Sequence, residues 1–311
     1  MKNALFYIDD VIWVFRDLTR EHPASMFDNP FMNMLKTAHD RYGMKVQLNV
    51  FYRTDFYYGN DEFSLADMTD AYKAEWEAAS DWLKLGFHAK QEFPDYPYIN
   101  ATYDTVKSNL DAVKKEIFRF AGENTFAYAH VTHWLPMSRA GVQALYDGGI
   151  RLMTVSTGEK LNEDEYMDKL PYGHKGRLLQ NRQPETGIFV RETLDESIHF
   201  SACGYNHCTP AVMKPHWHNF GVHKDEATGM CFKKFCTGPI LNCCPYEQIE
   251  SEFAPLLDSE YLGYALHEQY FYPDYYAYQS DYAEKIYRAA EIVSGAGFAY
   301  FFPQDIMEYN K

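Results

Sequence analysis

The chain has little cysteine, little positive charge and no long apolar run. Six cysteines occur in 311 residues, all between Cys203 and Cys244. That scarcity and clustering argue against a disulfide-stapled scaffold; in a reducing compartment thiols or metal ligands are expected. No apolar stretch approaches the roughly 20 residues that a membrane-spanning helix needs. The opening Met1-Lys2-Asn3-Ala4-Leu5-Phe6-Tyr7-Ile8 meets acidic Asp9 too early for the apolar part of a secretion signal. A cytoplasmic protein is therefore the expectation. Lysine and arginine number 29 against 44 aspartates and glutamates, a net charge of −15. Nucleic acid and anionic membranes attract the opposite sign, so neither is an expected partner. Several motifs are also missing: a Gly-x-Gly-x-x-Gly after a strand, a Walker loop, a Gly-x-Ser-x-Gly elbow and a His-Glu-x-x-His helix.

What is present is a core-forming composition. Hydrophobic residues make up 46% and charged residues 23%, which predicts a packed fold and excludes a disordered chain. The length equals about two average domains, yet a barrel of this size forms one unit. Aromatic residues reach 17%, with 26 Tyr and 22 Phe. Most fill the core. The tracts Asp95-Tyr96-Pro97-Tyr98 and Tyr270-Phe271-Tyr272-Pro273-Asp274-Tyr275-Tyr276 read as exposed, where aromatic rings can pack on sugar faces.

Strand and helix patterns alternate. Ala4–Ile8 is a short apolar, β-prone run that ends in the doublet Asp9-Asp10. Pro30 opens a helix through Met34, Leu35 and Ala38, stopped by Gly43, and residues 45–51 form strand two. Ser64 and Asp67 suggest a capping box for a helix through Trp76 and Trp82. Strand three ends at His88. Val106, Leu110, Val113, Ile117 and Phe120 form one apolar stripe of a helix. Strand four carries His130 and His133, and Ser138 starts a helix that ends at Gly148-Gly149. Strand five spans 150–155 and strand six 262–266, with His267-Glu268 at its tip. Asp281 opens the last helix, and strand seven spans 298–302.

This alternation predicts an α/β fold with a parallel sheet or barrel. About a hundred residues between Val155 and Tyr261 break the rhythm and read as an insertion over the rim, with a hairpin near 187–201. Strands that end in Asp, His or Glu place those side chains at the C-terminal rim, where α/β folds bind ligands. Two adjacent carboxylates repel, so a cation or a shared proton should hold them there.

These residues resemble the polysaccharide deacetylase superfamily, the fold of the chitooligosaccharide deacetylases. The resemblance rests on Tyr7-Ile8-Asp9-Asp10 at the first strand end, His88 at the third, the turn His133-Trp134-Leu135-Pro136 and the strand end Ala265-Leu266-His267. It covers roughly residues 1–155 and 260–305. Two motifs depart from the family pattern. Glu92 stands four residues after His88, where the family has a second histidine, and the turn lacks the family's arginine. The chain therefore looks like a divergent glycoside hydrolase/deacetylase, with one distorted (β/α)7 barrel over 1–311 and an irregular β-containing insertion at about 157–258.

The resemblance implies a divalent metal, with zinc favoured and iron, cobalt or nickel able to serve. Asp10 and His88 are the implied metal ligands, Asp9 the base and His267 the acid that protonates the leaving group. The third ligand stays open at this point: His133 is the first choice, with Glu92, Asp95 and His130 as alternatives. Glu92, Trp134, Glu268 and Tyr270 are candidates for contact with substrate, an acylated sugar or related small molecule. A metal-independent glycoside hydrolase, pairing Asp9 or Asp10 with Glu268 or Asp305, and a non-catalytic carbohydrate-binding protein are the alternatives. A homo-oligomer is compatible with the sequence. The Cys/His-rich insertion could hold a structural zinc, although its cysteine spacing is wider than usual.

Overall fold

The computed structural model describes residues 2–55, 61–94, 97–98, 101–135, 137–154 and 210–310. Among the described residues nine strands follow one another: β1 (Lys2–Val11), β2 (Val46–Phe51), β3 (Leu83–Ala89), β4 (Ala129–His130), β5 (Leu152–Thr154), β6 (His223–Lys224), β7 (Cys231–Lys233), β8 (Tyr261–His267) and β9 (Phe298–Tyr300). The helices are α1 (Trp13–Glu21), α2 (Pro30–Tyr42), α3 (Lys73–Ala78), α4 (Tyr103–Phe120), α5 (Arg139–Asp147), α6 (Pro210–Met213), α7 (Ile249–Phe253) and α8 (Tyr282–Gly295). None is long and apolar enough to cross a membrane.

The strands form a distorted (β/α)7 barrel. β1 lies at the centre of one parallel run, β3-β2-β1-β8, and β4-β5-β7 form a second. Two thin seams join the runs. At the first, Leu85 bridges Phe126 and the Ala127 amide donates to the Leu85 carbonyl at 2.8 Å. At the second, the chain leaving β7 reaches β8: Thr237 and Gly238 donate to the Gly263 carbonyl at 2.9 and 2.7 Å, and Ile240 bridges Ala265. The second seam depends on a glycine. A Cβ at Gly263 would lie 1.7 Å from the Phe235 carbonyl oxygen, so no other residue allows that approach.

The seventh stave is thus β7 and its continuation, which come from residues assigned to the insertion. Among the described residues, the run expected as strand seven, β9, pairs only with Lys2–Ala4 of β1. The hairpin expected near 187–201 lies outside the described residues, as do Asp95, Cys203 and Cys208.

Local chemistry explains most helix limits. In α2, Asn29 accepts from the Phe31 and Met32 amides, Pro30 takes the first position, and Gly43 ends the helix at φ 65°. In α4, Thr102 caps the start and the stripe Val106, Leu110, Val113, Ile117 and Phe120 is buried against the barrel. Ser138 caps α5 by accepting from the Gly141 amide. The helix expected from Ser64 is different. Ser64 bonds the Asp67 side chain at 3.1 Å, a single 3-10 turn follows, and α3 is confined to Lys73–Ala78. Trp82 instead leads into β3, buried beneath α2 by stacking on His39. α1 has no start signal in the sequence, because Ile12 offers no side-chain cap.

Candidate metal centre

A strand normally sends successive side chains to opposite faces. Asp9 and Asp10 escape that rule. The pairing of β1 with β2 shifts register between Ile8 and Val11, and Asp10 sits in the left-handed region at φ 63°. Both carboxylates therefore reach the same imidazole. His88, at the end of β3, places Nε2 3.1 Å from Asp10 Oδ1 and Nδ1 3.9 Å from Asp9 Oδ1. Such backbone strain costs about 1–3 kcal/mol and collects at functional sites.

His133 follows β4 in a tight turn. Leu135 donates its amide to the Thr132 carbonyl, while Trp134 and Leu135 sit at φ 61° and 75°. The turn brings His133 Nδ1 to 3.2 Å from Asp10 Oδ1 and 3.2 Å from His88 Nε2. Asp10, His88 and His133 thus form a triangle of buried donor atoms. The outer ring nitrogens face main-chain acceptors: His88 Nδ1 donates to the Val131 carbonyl at 2.7 Å, and His133 Nε2 to the Glu92 carbonyl at 2.9 Å. Those acceptors assign the N–H groups outward and leave the inner nitrogens as lone pairs. Gln269 Nε2 donates to the other Asp10 oxygen at 2.8 Å.

The donor set fits a divalent cation. Two imidazoles and a carboxylate suit zinc, iron, cobalt or nickel. Edges of 3.1–3.2 Å match atoms that share one ion at bond lengths of about 2.0–2.2 Å. Electrostatics agree. Burial pushes the Asp10 carboxyl up, but hydrogen bonds and charge from His133 and His88 overcome it and hold Asp10 well below the usual carboxylate range. Burial alone would lower His88; the charge of Asp9 and the bond to Asp10 raise it. Three inward lone pairs repel one another, so the triangle favours a positive charge at its centre.

Asp9 stands beside this triangle. Asn49 Nδ2 donates to its Oδ1 at 2.7 Å, and burial, above all, raises its carboxyl. His267 lies opposite Asp9 in the β1–β8 register. Its Nδ1 bonds Asn242 Oδ1 at 3.0 Å.

The remaining expected residues divide. Trp134 is buried, with its ring 6.1 Å from that of His133; half-buried Tyr270 is 6.3 Å from His267. Glu92 is buried behind His133, Oε2 3.9 Å from Nε2, so it touches the site from outside. Glu268, expected at the substrate surface, is fully buried and turned away: Oε2 accepts from the Ile12 and Trp13 amides at 2.7 and 2.9 Å, Oε1 from the Val14 amide at 2.8 Å. It caps α1. Burial pushes its carboxyl up to about 7, against those three bonds. His130 stacks on Phe87 and donates Nδ1–H to the Phe87 carbonyl at 2.9 Å. Among the described residues no disulfide forms, and Cys231, Cys236, Cys243 and Cys244 are thiols.

No family profile and no curated protein matches the chain. Solved structures do. A 4-α-glucanotransferase from Thermococcus litoralis aligns with 99% of this chain at 10% identity and a TM-score of 0.54. This chain covers about two fifths of that protein, 40%. The Xyl-CE4 domain of a multidomain xylanase, from the hindgut metagenome of Trinervitermes trinervoides, aligns with 99% of this chain and 91% of its own, at 9% identity and TM-score 0.42. A family 4 carbohydrate esterase from Bacillus anthracis aligns with 99% and 83%, at 10% identity and TM-score 0.39. At these identities the likeness is one of fold.

Three polar side chains around the site were not anticipated: Asn49, Asn242 and Gln269. Asn49 left a signal. Gln47 and Asn49 alternate with Val46, Leu48 and Val50, so β2 carries polar groups on one face of an otherwise apolar strand. Both are fully buried, and Gln47 Nε2 bonds Asn49 Oδ1 at 2.7 Å. Asn242 and Gln269 left none, because each acts across a long stretch of chain.

Proposed function

We propose that this protein is a metal-dependent hydrolase that removes an acyl group from a sugar or a related small molecule, at nitrogen or oxygen. One observation carries the reading: the Asp10–His88–His133 triangle presents inward lone pairs fixed from behind by carbonyls, with Asp9 beside it and outside it. The motif resemblance at the strand ends supports the same reading.

A divalent ion held there supplies Lewis acidity, which acidifies water toward neutral pKa and polarises the acyl carbonyl. The chain's own residues do the rest. Asp9 accepts the proton of the attacking water; a raised carboxyl pKa suits that task near neutral pH. Asn49 fixes the orientation of Asp9. His267 gives a proton from Nε2 to the leaving nitrogen or oxygen as the acyl bond breaks, producing a carboxylic acid and a free amine or alcohol. Half-buried Tyr270 offers a ring face for the sugar, whereas buried Trp134, Glu92 and Glu268 support the site from inside the fold.

The fold likeness to a glucanotransferase makes a glycoside hydrolase worth testing. Such an enzyme needs a second carboxylate about 5 or 6.5–9.5 Å from the first, across the bond to be cut. Glu268 is engaged with the α1 amides, and Asp305 accepts from the Phe302 amide at 2.8 Å. That favours the metal-dependent reading.

The deciding experiment measures metal content of the purified protein and acetate release from N- and O-acetylated sugars, before and after chelation and with zinc or cobalt restored. Stoichiometric metal and chelator-sensitive release are expected. A metal-free protein that cleaves glycosidic bonds, or acetate release indifferent to chelation, would overturn the reading.

A further inference from the structure

We infer that Asn242 is the positioning residue of His267, so that a segment between β5 and β8 completes the acid half of the site. The inference deepens the proposed function, because it rests on His267 as the proton donor.

His267 ends β8 and is only partly buried, so the ring needs an outside partner to fix it. That partner comes from the 3-10 turn Leu241–Cys243. Asn242 is buried, and its Oδ1 lies 3.0 Å from His267 Nδ1. The amide orientation is backed on its other side, where Nδ2 faces Cys243 Sγ at 3.6 Å. An amide oxygen only accepts, so His267 Nδ1 carries the hydrogen and Nε2 is left to exchange protons.

Asn242 is itself held. Gln279 Nε2 donates to its carbonyl at 2.7 Å, and Lys285 Nζ donates to Gln279 Oε1 at 2.9 Å. Tyr282 donates its hydroxyl to the His267 carbonyl at 3.1 Å. The turn is fixed to β8 through the bridge between Ile240 and Ala265. Ring, amide and both backbones are therefore locked together. A neutral partner directs the ring without adding a carboxylate to a centre that already holds Asp9 and Asp10.

The test has two arms. Long-range proton–nitrogen correlation spectra of histidine-labelled protein, with His267 assigned through His267→Gln, read the tautomer without any assay. The Nδ1–H form is expected in the wild type and in Asn242→Asp, and its loss in Asn242→Leu. In acetate release, Asn242→Leu should lower kcat about a hundredfold, the scale of a misplaced catalytic group, with KM little changed. Asn242→Asp should recover most of that. A wild-type Nε2–H tautomer would overturn the inference, as would an Asn242→Leu variant that keeps the Nδ1–H form or the wild-type kcat. Should no sugar be deacetylated, the spectra still decide the tautomer, and only the proposed reaction falls.

Discussion

His88 Nε2 and His133 Nδ1 lie 3.2 Å apart, each ring held from behind by a main-chain carbonyl. Two imidazole lone pairs do not approach so closely unless a proton or a cation stands between them. Everything proposed about the reaction begins from that pair.

Removing one corner tests it. His133→Gln deletes the inner nitrogen while keeping a polar group in the turn. Metal affinity should fall by more than about a hundredfold, the upper end of what a change behind a ligand costs. Metal analysis after dialysis against a weak chelator reads this directly. Wild-type retention would remove His133 from the coordination set.

Asp9→Asn separates base from ligand. The amide keeps the shape but cannot accept the water's proton. Acetate release should fall about 10²–10⁴-fold, with metal content and thermal stability preserved. Equal loss of metal would mean that Asp9 coordinates the ion.

His130 predicts an acid limb in stability. Burial, then the nearby charge of His88, lowers its pKa to about 3. The folded protein keeps this ring neutral while the unfolded chain takes a proton below about 6.5. Stability from this residue is therefore intact above that pH and lost as pH falls from about 6.5 toward 3. His130→Asn keeps a donor for the Phe87 carbonyl and cannot titrate. Urea midpoints of the two proteins should diverge less at pH 4.5 than at pH 7, because only the wild type carries the His130 share of the acid loss. A constant gap between them would refute the assignment.

Gly263→Ala tests the second seam of the barrel. The added methyl would meet the Phe235 carbonyl oxygen at 1.7 Å, so main chain must move. A loss of about 3 kcal/mol or more is expected, beyond the ordinary range for one substitution. Denaturant titration with an unchanged midpoint would show that the seam yields freely.

The candidate site was largely legible because its chemistry lies at strand tips. Asp9-Asp10, His88, His133 and His267 each follow an apolar run, and period alone puts them at one rim. The partners that aim them were not legible. Gln269 reaches Asp10 across 259 positions, and Asn242 reaches His267 across 25. Glu268 caps α1 from about 255 positions away, which is why α1 had no local start signal.

By itself, then, the sequence determined the alternation of strands and helices and the set of residues able to hold a cation. Both follow from local periodicity and side-chain chemistry. Tertiary structure decided the rest. It took β7, from the residues read as an insertion, for the seventh stave, because only Gly263 lets the chain after β7 close against β8. It also chose His133 over His130 and Glu92 for the triangle. His130 is still in the strand and buries its ring on Phe87, whereas the left-handed turn after His133 swings that imidazole back over the rim.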